Sequence, residues 1–317
     1  MPRRQDLPPE FRTGAFDVSL GREAGLTPDR LRASDLQKPF RGVRSTGLDL
    51  DRTVDLCRAY SARMPAHAAF SHLTAAAIWG FPLPLPRADR RIHVVVPVGH
   101  RAPRGKIVRG HQSHSADDVS VTRKLRVTSP ATTWCDLAEM LEVPDLLACA
   151  EFAITGNPYE NRLALTSLEN LAAAAGIVAG GHGHRARTTV LRFARAGALS
   201  RPESLLRYLL VKSGLPNPRI NENCNDSRGS FIALADLSWP AFRVAAEYEG
   251  DHHRGVSQFR SDIHRFEKLA DHHWAAVRIS ADDLFDRPDQ TVARVASRLA
   301  ERGWKGKARY PGIRFIR

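Results

Sequence analysis

No apolar run of roughly eighteen residues, the length a helix needs to cross a bilayer, occurs anywhere in the sequence. Paired cysteines are missing too. The four thiols, Cys57, Cys135, Cys149 and Cys224, are widely scattered and form no Cys-x-x-Cys pair. That spacing argues against a disulfide framework and a cysteine zinc knuckle, and it leads us to expect reduced core thiols. The Met-Pro-Arg-Arg start is not followed by an apolar signal-peptide core, so a cytoplasmic location is expected. No polybasic block adjoins an amphipathic anchor, and no membrane partner is expected. Negative charge is also scarce: Asp plus Glu number 34 against 47 Lys plus Arg, a formal net charge of +13. A pI near 10.2 points to an anionic partner such as DNA. With 317 residues, 43% of them hydrophobic, two or three domains with sizeable cores are affordable.

Within residues 15–46, two short helical patterns flank Gly25-Leu26; Thr27 suits the cap of the second and Pro28 its first position. This suits a helix-turn-helix from which Arg30 and Arg32 would project. The following PFRGVR reads as a wing that brings Arg41 and Arg44 near phosphates. A plain helical hairpin with solvated arginines is the alternative. From 66 to 156 the order is helix, strands, helix, helix: AAFSHLTAAAIWGF, then RIHVVVP and GKIVRGHQS, then LRVTSPATTWCDLAEML and PDLLACAEFAI. His72 and Trp79 on the alanine-rich helix read as packing residues. His182 and His184 beside the glycines of AGGHGH lack a third ligand nearby, which argues against a metal there.

The segments SHLTAAAIWGFPLP, RIHVVVP and TSPATTWCDLAEML, following a basic helix-turn-helix-like start, resemble the antitoxins of AbiEi-type abortive-infection toxin–antitoxin systems. The resemblance implies a winged-helix DNA binder, commonly an autoregulator, with a cognate toxin protein as a partner. The expected organisation is a DNA-binding region over 1–65, an α+β antitoxin-like domain over 66–156, a helical linker over 157–199 and a further domain over 200–317.

That last part opens on SRPESLLRYLLVKSG, where Ser200 and Glu203 have capping-box spacing; Glu203 is thus expected to cap its own helix or to serve a site. A hairpin follows, FIALADLSW turning at Trp239-Pro240 into FRVAAEYEG. Strand alternation places Ala245, Glu247 and Glu249 on one face, and the hairpin brings Asp236 opposite them. Converging carboxylates repel one another unless a divalent cation neutralises them. Mg²⁺ (or Mn²⁺) suits an all-oxygen site and would stabilise charge on a phosphodiester.

The segments PESLLRYLLVKSGLPNPRIN, ADLSWPAFRVAAEYEGDHH, FRSDIHRFEKLA and WAAVRIS, in that order, resemble very-short-patch-repair-like endonuclease domains of the PD-(D/E)XK superfamily. This implies a restriction-endonuclease-like α/β core around a central mixed sheet. It also implies Asp236 and Glu247 as metal ligands, Glu203 as the acidic residue of the first helix, and His252 and His253 as the histidine position after the acidic strand. The motif's lysine position holds Glu249. An acidic residue is usual there in this subgroup, so the lysine's work would fall to another group: His252 or His253 as base, Arg265 or Lys268 as cation. A plain surface pair of Arg265 with Asp262 is the alternative. Zinc on His252, His253, His264, His272 and His273 is disfavoured, because adjacent histidines do not easily share one tetrahedron and no cysteine joins them. The expectation is therefore a Mg²⁺-dependent DNA endonuclease. Its alternative is a non-enzymatic DNA-binding regulator or antitoxin that keeps a degenerate nuclease fold.

Overall fold

A computed structural model describes residues 5–84, 91–115, 117–250 and 256–317, the side chains of 256–263 excepted. The chain divides into two compact units, the first ending at Leu137 and the second holding residues 138–317.

In the first unit β1 (Gly14–Asp17) leads into α1 (Val18–Glu23), which starts where Asp17 accepts the Ser19 N–H at 2.7 Å. Gly25, at φ +82°, turns the chain into α2 (Pro28–Arg32). Thr27 caps that helix by accepting the Arg30 N–H at 3.2 Å, and proline occupies its first position. β2 (Val43–Thr46) pairs antiparallel with β1, and α3 (Thr53–Ser61) follows. Phe16, Leu26, Leu31 and Leu36 close a small core between these elements.

Next come β3 (Ala69–Phe70), α4 (His72–Trp79), β4 (Ile92–Pro97), β5 (Arg104–Gly105), β6 (Val108–Ser113), β7 (Val119–Thr122), β8 (Leu125–Thr128) and α5 (Pro130–Leu137). The six strands form one mixed sheet in the order β5-β6-β4-β3-β8-β7. β4, IHVVVP, is buried along almost its whole length, as a continuous apolar run in a central strand requires. Ile78 of α4 packs with Phe70, Ile92, Val94, Val96 and Val127. Trp79 is a packing residue whose indole N–H donates to the Thr128 carbonyl at 2.9 Å.

The second unit begins with α6 (Val143–Ile154), α7 (Leu168–Ile177), α8 (His184–Phe193) and α9 (Arg201–Lys212). β9 (Arg219–Asn225), β10 (Phe231–Trp239), β11 (Val244–Glu249), α10 (Val256–Asp271), β12 (Ala275–Ser280), α11 (Ala281–Phe285) and α12 (Pro288–Glu301) complete it. The sheet order is β12-β11-β10-β9. β9, β10 and β11 run antiparallel, whereas β11 and β12 are parallel and joined through α10, the crossover that a parallel pair needs.

Strand alternation in β11 separates two layers. Val244 and Ala246 join Leu237 and Ile279 beneath Leu205, Leu206 and Leu209 of α9 and Val292, Val295 and Leu299 of α12. Ala245 packs with Leu269, Phe266 and Trp274 on the α10 side. The division between units falls inside the stretch 66–156 because α6 is tied to α9. Glu151 pairs with Arg207, and Asp145 with Arg201 at 2.7 Å. All four cysteines are buried. Burial drives the Cys57 thiol pKa upward, and it pushes Cys224 up to about 12 with a further contribution from Glu247. Inert structural thiols fit both.

Candidate functional site

The last recorded β10–β11 pair at this end of the ladder is Leu237↔Ala246, and one register step further Asp236 stands opposite Glu247. There a side chain replaces the ladder: Asp236 Oδ2 accepts the Tyr248 N–H at 2.7 Å. On the other flank of β11 the parallel register sets Glu247 against Arg278 and Glu249 against Ser280. The end of the hairpin therefore places Asp236, Glu247 and Arg278 along one row of the sheet.

Glu247 and, two residues on, Glu249 each meet an arginine. Glu247, with a side chain only 3% exposed, pairs with Arg265 Nη2 of α10 at 2.5 Å. Arg278 grips Glu249 with both Nε and Nη2, the latter at 2.7 Å. Phe266 stands between the two arginines, its ring centroid 5.3 Å from the Arg265 guanidinium carbon and 5.1 Å from that of Arg278. The result is a neutralised strip of two carboxylates, two guanidinium groups and one aromatic ring. Arg278, absent from the sequence expectations, is visible only once the parallel β11–β12 register is known. Beside it, Arg294 and Arg298 help line a cavity of about 400 Å³.

Glu203 is placed differently. Its carboxylate accepts from Ser200 Oγ at 2.7 Å, Leu199 N–H at 2.9 Å and Asn221 Nδ2 at 2.6 Å. It thus caps α9 and fixes Asn221, the residue that lies between the register pairs Ala235↔Glu222 and Leu237↔Ile220 and so faces Asp236. His252 and His253 lie outside the described residues, as does the side chain of Asp262. His264 sits on the surface with Glu267 at 3.3 Å.

The N-terminal arginines separate into two kinds. Arg30 does not project: it is buried, its fork closed on Asp35 at 3.0 and 2.9 Å and its Nε on the Gln5 carbonyl at 2.6 Å. The reason is that α2 is one and a half turns long and turns this position towards Asp35 in the following loop. Arg44 is also spent on structure, donating to the carbonyls of Leu31 and Val43. Arg32 is exposed beside Asp29 at 2.7 Å, and Arg41 is exposed.

A further cluster lies in the first unit. His72 at the start of α4, His93 on β4 and His111 on β6 place ligand-capable atoms all within 4.8 Å of one another. His93 Nδ1 lies 3.0 Å from His111 Nε2, and the His72 ring stacks on that of His111 with centroids 3.7 Å apart. His72 Nδ1 faces Ser71 Oγ at 3.0 Å and Asp136 Oδ2 at 3.5 Å. Burial first, and neighbouring cationic groups second, lower the His72 pKa to about 2 and that of His111 to about 4. His72 is buried, as a packing residue is, and its ring lies against those of His93 and His111. The signal was not readable, since three histidines on separate elements share no sequence spacing.

The fold is that of a mixed α/β protein, and among the described residues no helix is long and apolar enough to cross a membrane. No family model matches the chain. Two curated Mycobacterium tuberculosis proteins, uncharacterized protein Rv2248 of strain H37Rv and uncharacterized protein MT2308 of strain CDC 1551, are each 33% identical to it over 238 residues. Each match spans 74% of this chain and 83% of the relative, so the chain belongs to the family of these mycobacterial proteins. A crystal structure of the RV2827C protein from the same organism aligns over 59% of this chain and 78% of its own, with a TM-score of 0.37 and 15% identity.

Proposed function

We propose that the protein is a Mg²⁺-dependent DNA endonuclease, with a restriction-endonuclease-like second unit and a winged-helix-like DNA-binding start. The observation that carries the reading is the interrupted β10–β11 ladder, where Asp236 and Glu247 face each other in register and Asp236 accepts the Tyr248 N–H. An inward carboxylate pair at a strand end adds nothing to a core and is costly without a cation, a place that the Arg265 guanidinium takes beside Glu247. The donor set is all oxygen, which fits Mg²⁺ or Mn²⁺. Asp236 and Glu247 would hold the ion, which supplies a Lewis acid for the phosphodiester.

The chain's own groups do the rest. Arg265 neutralises Glu247 and must leave it for an ion to enter; at 34% exposure its guanidinium has solvent to turn into. There it can meet a DNA phosphate. Arg278, Arg294 and Arg298 line a cavity beside the strand end, paired with Glu249, Asp283 and Glu301, and a phosphate would have to compete with those carboxylates for them. Glu249, held by Arg278, orients that arginine rather than replacing the motif's lysine. His252 or His253 is the proposed proton acceptor. Glu203 contributes through Asn221, as a positioning residue and not as a metal ligand.

A second reading rests on a specific observation: Glu247 and Glu249 are both already matched by arginines. In that case the unit is a non-catalytic module, and the protein is a DNA-binding regulator or antitoxin with a toxin partner. Supercoiled plasmid incubated with the purified protein and Mg²⁺ or Mn²⁺ separates the two. Nicking that disappears in both Asp236→Ala and Glu247→Ala supports the nuclease. Nicking that survives both removes this site from the reaction. Intact plasmid together with salt-sensitive DNA binding selects the regulator.

A further inference from the structure

The three histidines clustered in the first unit are buried or half-buried. We propose that His72, His93 and His111 form a binding site for one borderline divalent transition-metal ion of the Zn²⁺ class, with Asp136 as its positioning carboxylate.

Three observations converge. The first is spacing: candidate ligand atoms from all three rings lie within 4.8 Å of one another, and the His93 Nδ1 to His111 Nε2 distance is 3.0 Å. Two imidazole nitrogens bound to one tetrahedral Zn²⁺ at about 2.0–2.1 Å are about 3.3 Å apart, so these two need to separate by only a few tenths of an ångström. The second is support. The His93 N–H donates to Thr74 Oγ1 at 2.8 Å, and the His93 carbonyl accepts from the Ser71 N–H at 3.1 Å. The β4 backbone is thereby locked to the chain around His72. The third is a carboxylate beside a ring: Asp136 Oδ2 lies 3.5 Å from His72 Nδ1, the side from which carboxylates orient metal-binding histidines. With Nδ1 facing Ser71 and Asp136, Nε2 is the nitrogen His72 offers.

Backbone strain marks the same residue. His72 sits at φ +50°, a left-handed conformation that is unfavourable for a non-glycine residue and persists where surroundings impose it. Nitrogen donors without thiolate or several carboxylates favour Zn²⁺, Cu²⁺ or Ni²⁺ over Mg²⁺. Three protein ligands leave one tetrahedral position for water or a small anion. Two features oppose binding. The His72 and His111 rings are only 19° from parallel, so one of them must turn about χ2 to share an ion. Exposed Arg109 adds positive charge nearby.

The test uses the full chain, treated with chelator, freed of it, and titrated with Zn²⁺ by calorimetry and with Co²⁺ by visible absorption. The expected result is one tight equivalent with the intense bands of four-coordinate Co²⁺. His111→Ala, chosen because His111 is the least buried of the three, and His93→Gln should each weaken that site about 100-fold or more. Asp136→Asn should weaken it about 10–100-fold while keeping the Co²⁺ band shape. His111→Gln replaces His111→Ala if circular dichroism shows the latter unfolded. With 13 histidines in the chain, adventitious binding is the rival outcome. Absence of a stoichiometric site, or unchanged affinity in both the His93 and His111 variants, overturns the proposal.

Discussion

Replacing Arg207 by methionine should destabilise the second unit by about 3–5 kcal/mol, the cost of leaving one member of a buried pair behind. The structure sets the size. The Arg207 and Glu151 side chains are 2% and 0% exposed, so no solvent reaches the carboxylate left behind. Glu151 would retain the Arg195 N–H at 3.1 Å and the Ser204 hydroxyl, which argues for the lower end of the range. The Phe193 carbonyl would also lose its 2.7 Å donor. With an urea m-value of about 2 kcal/mol/M, a loss of about 3 kcal/mol moves the midpoint by about 1.5 M.

The effect should depend on pH, and its sign follows from burial. Desolvation raises the Glu151 pKa above its ordinary value, and Arg207 opposes that rise. Without Arg207 the folded state holds a proton that the unfolded state releases above about pH 4.3, so stability falls as pH rises. The deficit should therefore be smaller at pH 5 than at pH 7.5. Urea unfolding followed by tryptophan fluorescence suits the measurement, since Trp239 and Trp274 are buried in the same unit. The double variant Glu151→Leu/Arg207→Met should come within about 1 kcal/mol of the parent or exceed it. A single-variant loss below about 1 kcal/mol, or a double variant as weak as the single, would refute the reasoning.

Arg30→Ala should cost about 2 kcal/mol, as the removal of a buried bidentate partner, whereas Arg32→Ala should stay within about 0.5 kcal/mol; thermal unfolding checks both. For DNA binding the order reverses. Arg32→Ala and Arg41→Ala should each lower the slope of log affinity against log salt by about one, measured by fluorescence anisotropy on a duplex. Asn221→Ala should destabilise by about 1–2 kcal/mol in urea, because Glu203 loses its 2.6 Å donor while its own cap remains. Arg109→Gln should tighten Zn²⁺ binding severalfold by removing a nearby positive charge, as read by calorimetry.

Local rules were enough for much of the fold. Thr27 and Pro28 mark the start of α2, Ser200 and Glu203 the start of α9, and Trp239-Pro240 the turn between β10 and β11. These signals act over a few residues, through backbone groups that neighbouring side chains must satisfy. Alternation along VAAEYE likewise put Ala245, Glu247 and Glu249 on one face without reference to any other element. The sequence also carried the scattered cysteines and the excess of positive charge.

Only the tertiary structure decided what each charge meets. Arg30 was indistinguishable from Arg32 until the loop after α2 brought Asp35 beneath it. Arg265 and Arg278 reach Glu247 and Glu249 because α10 crosses from β11 to a parallel β12, and the register of that pairing has no local code. His72, His93 and His111 meet for the same reason, being brought from a helix and two strands by a sheet order that leaves sequence order at β5-β6-β4-β3. Periodicity determines which face a side chain takes. Long-range pairing determines its neighbours, and with them whether a carboxylate is a ligand, a cap or half of an ion pair.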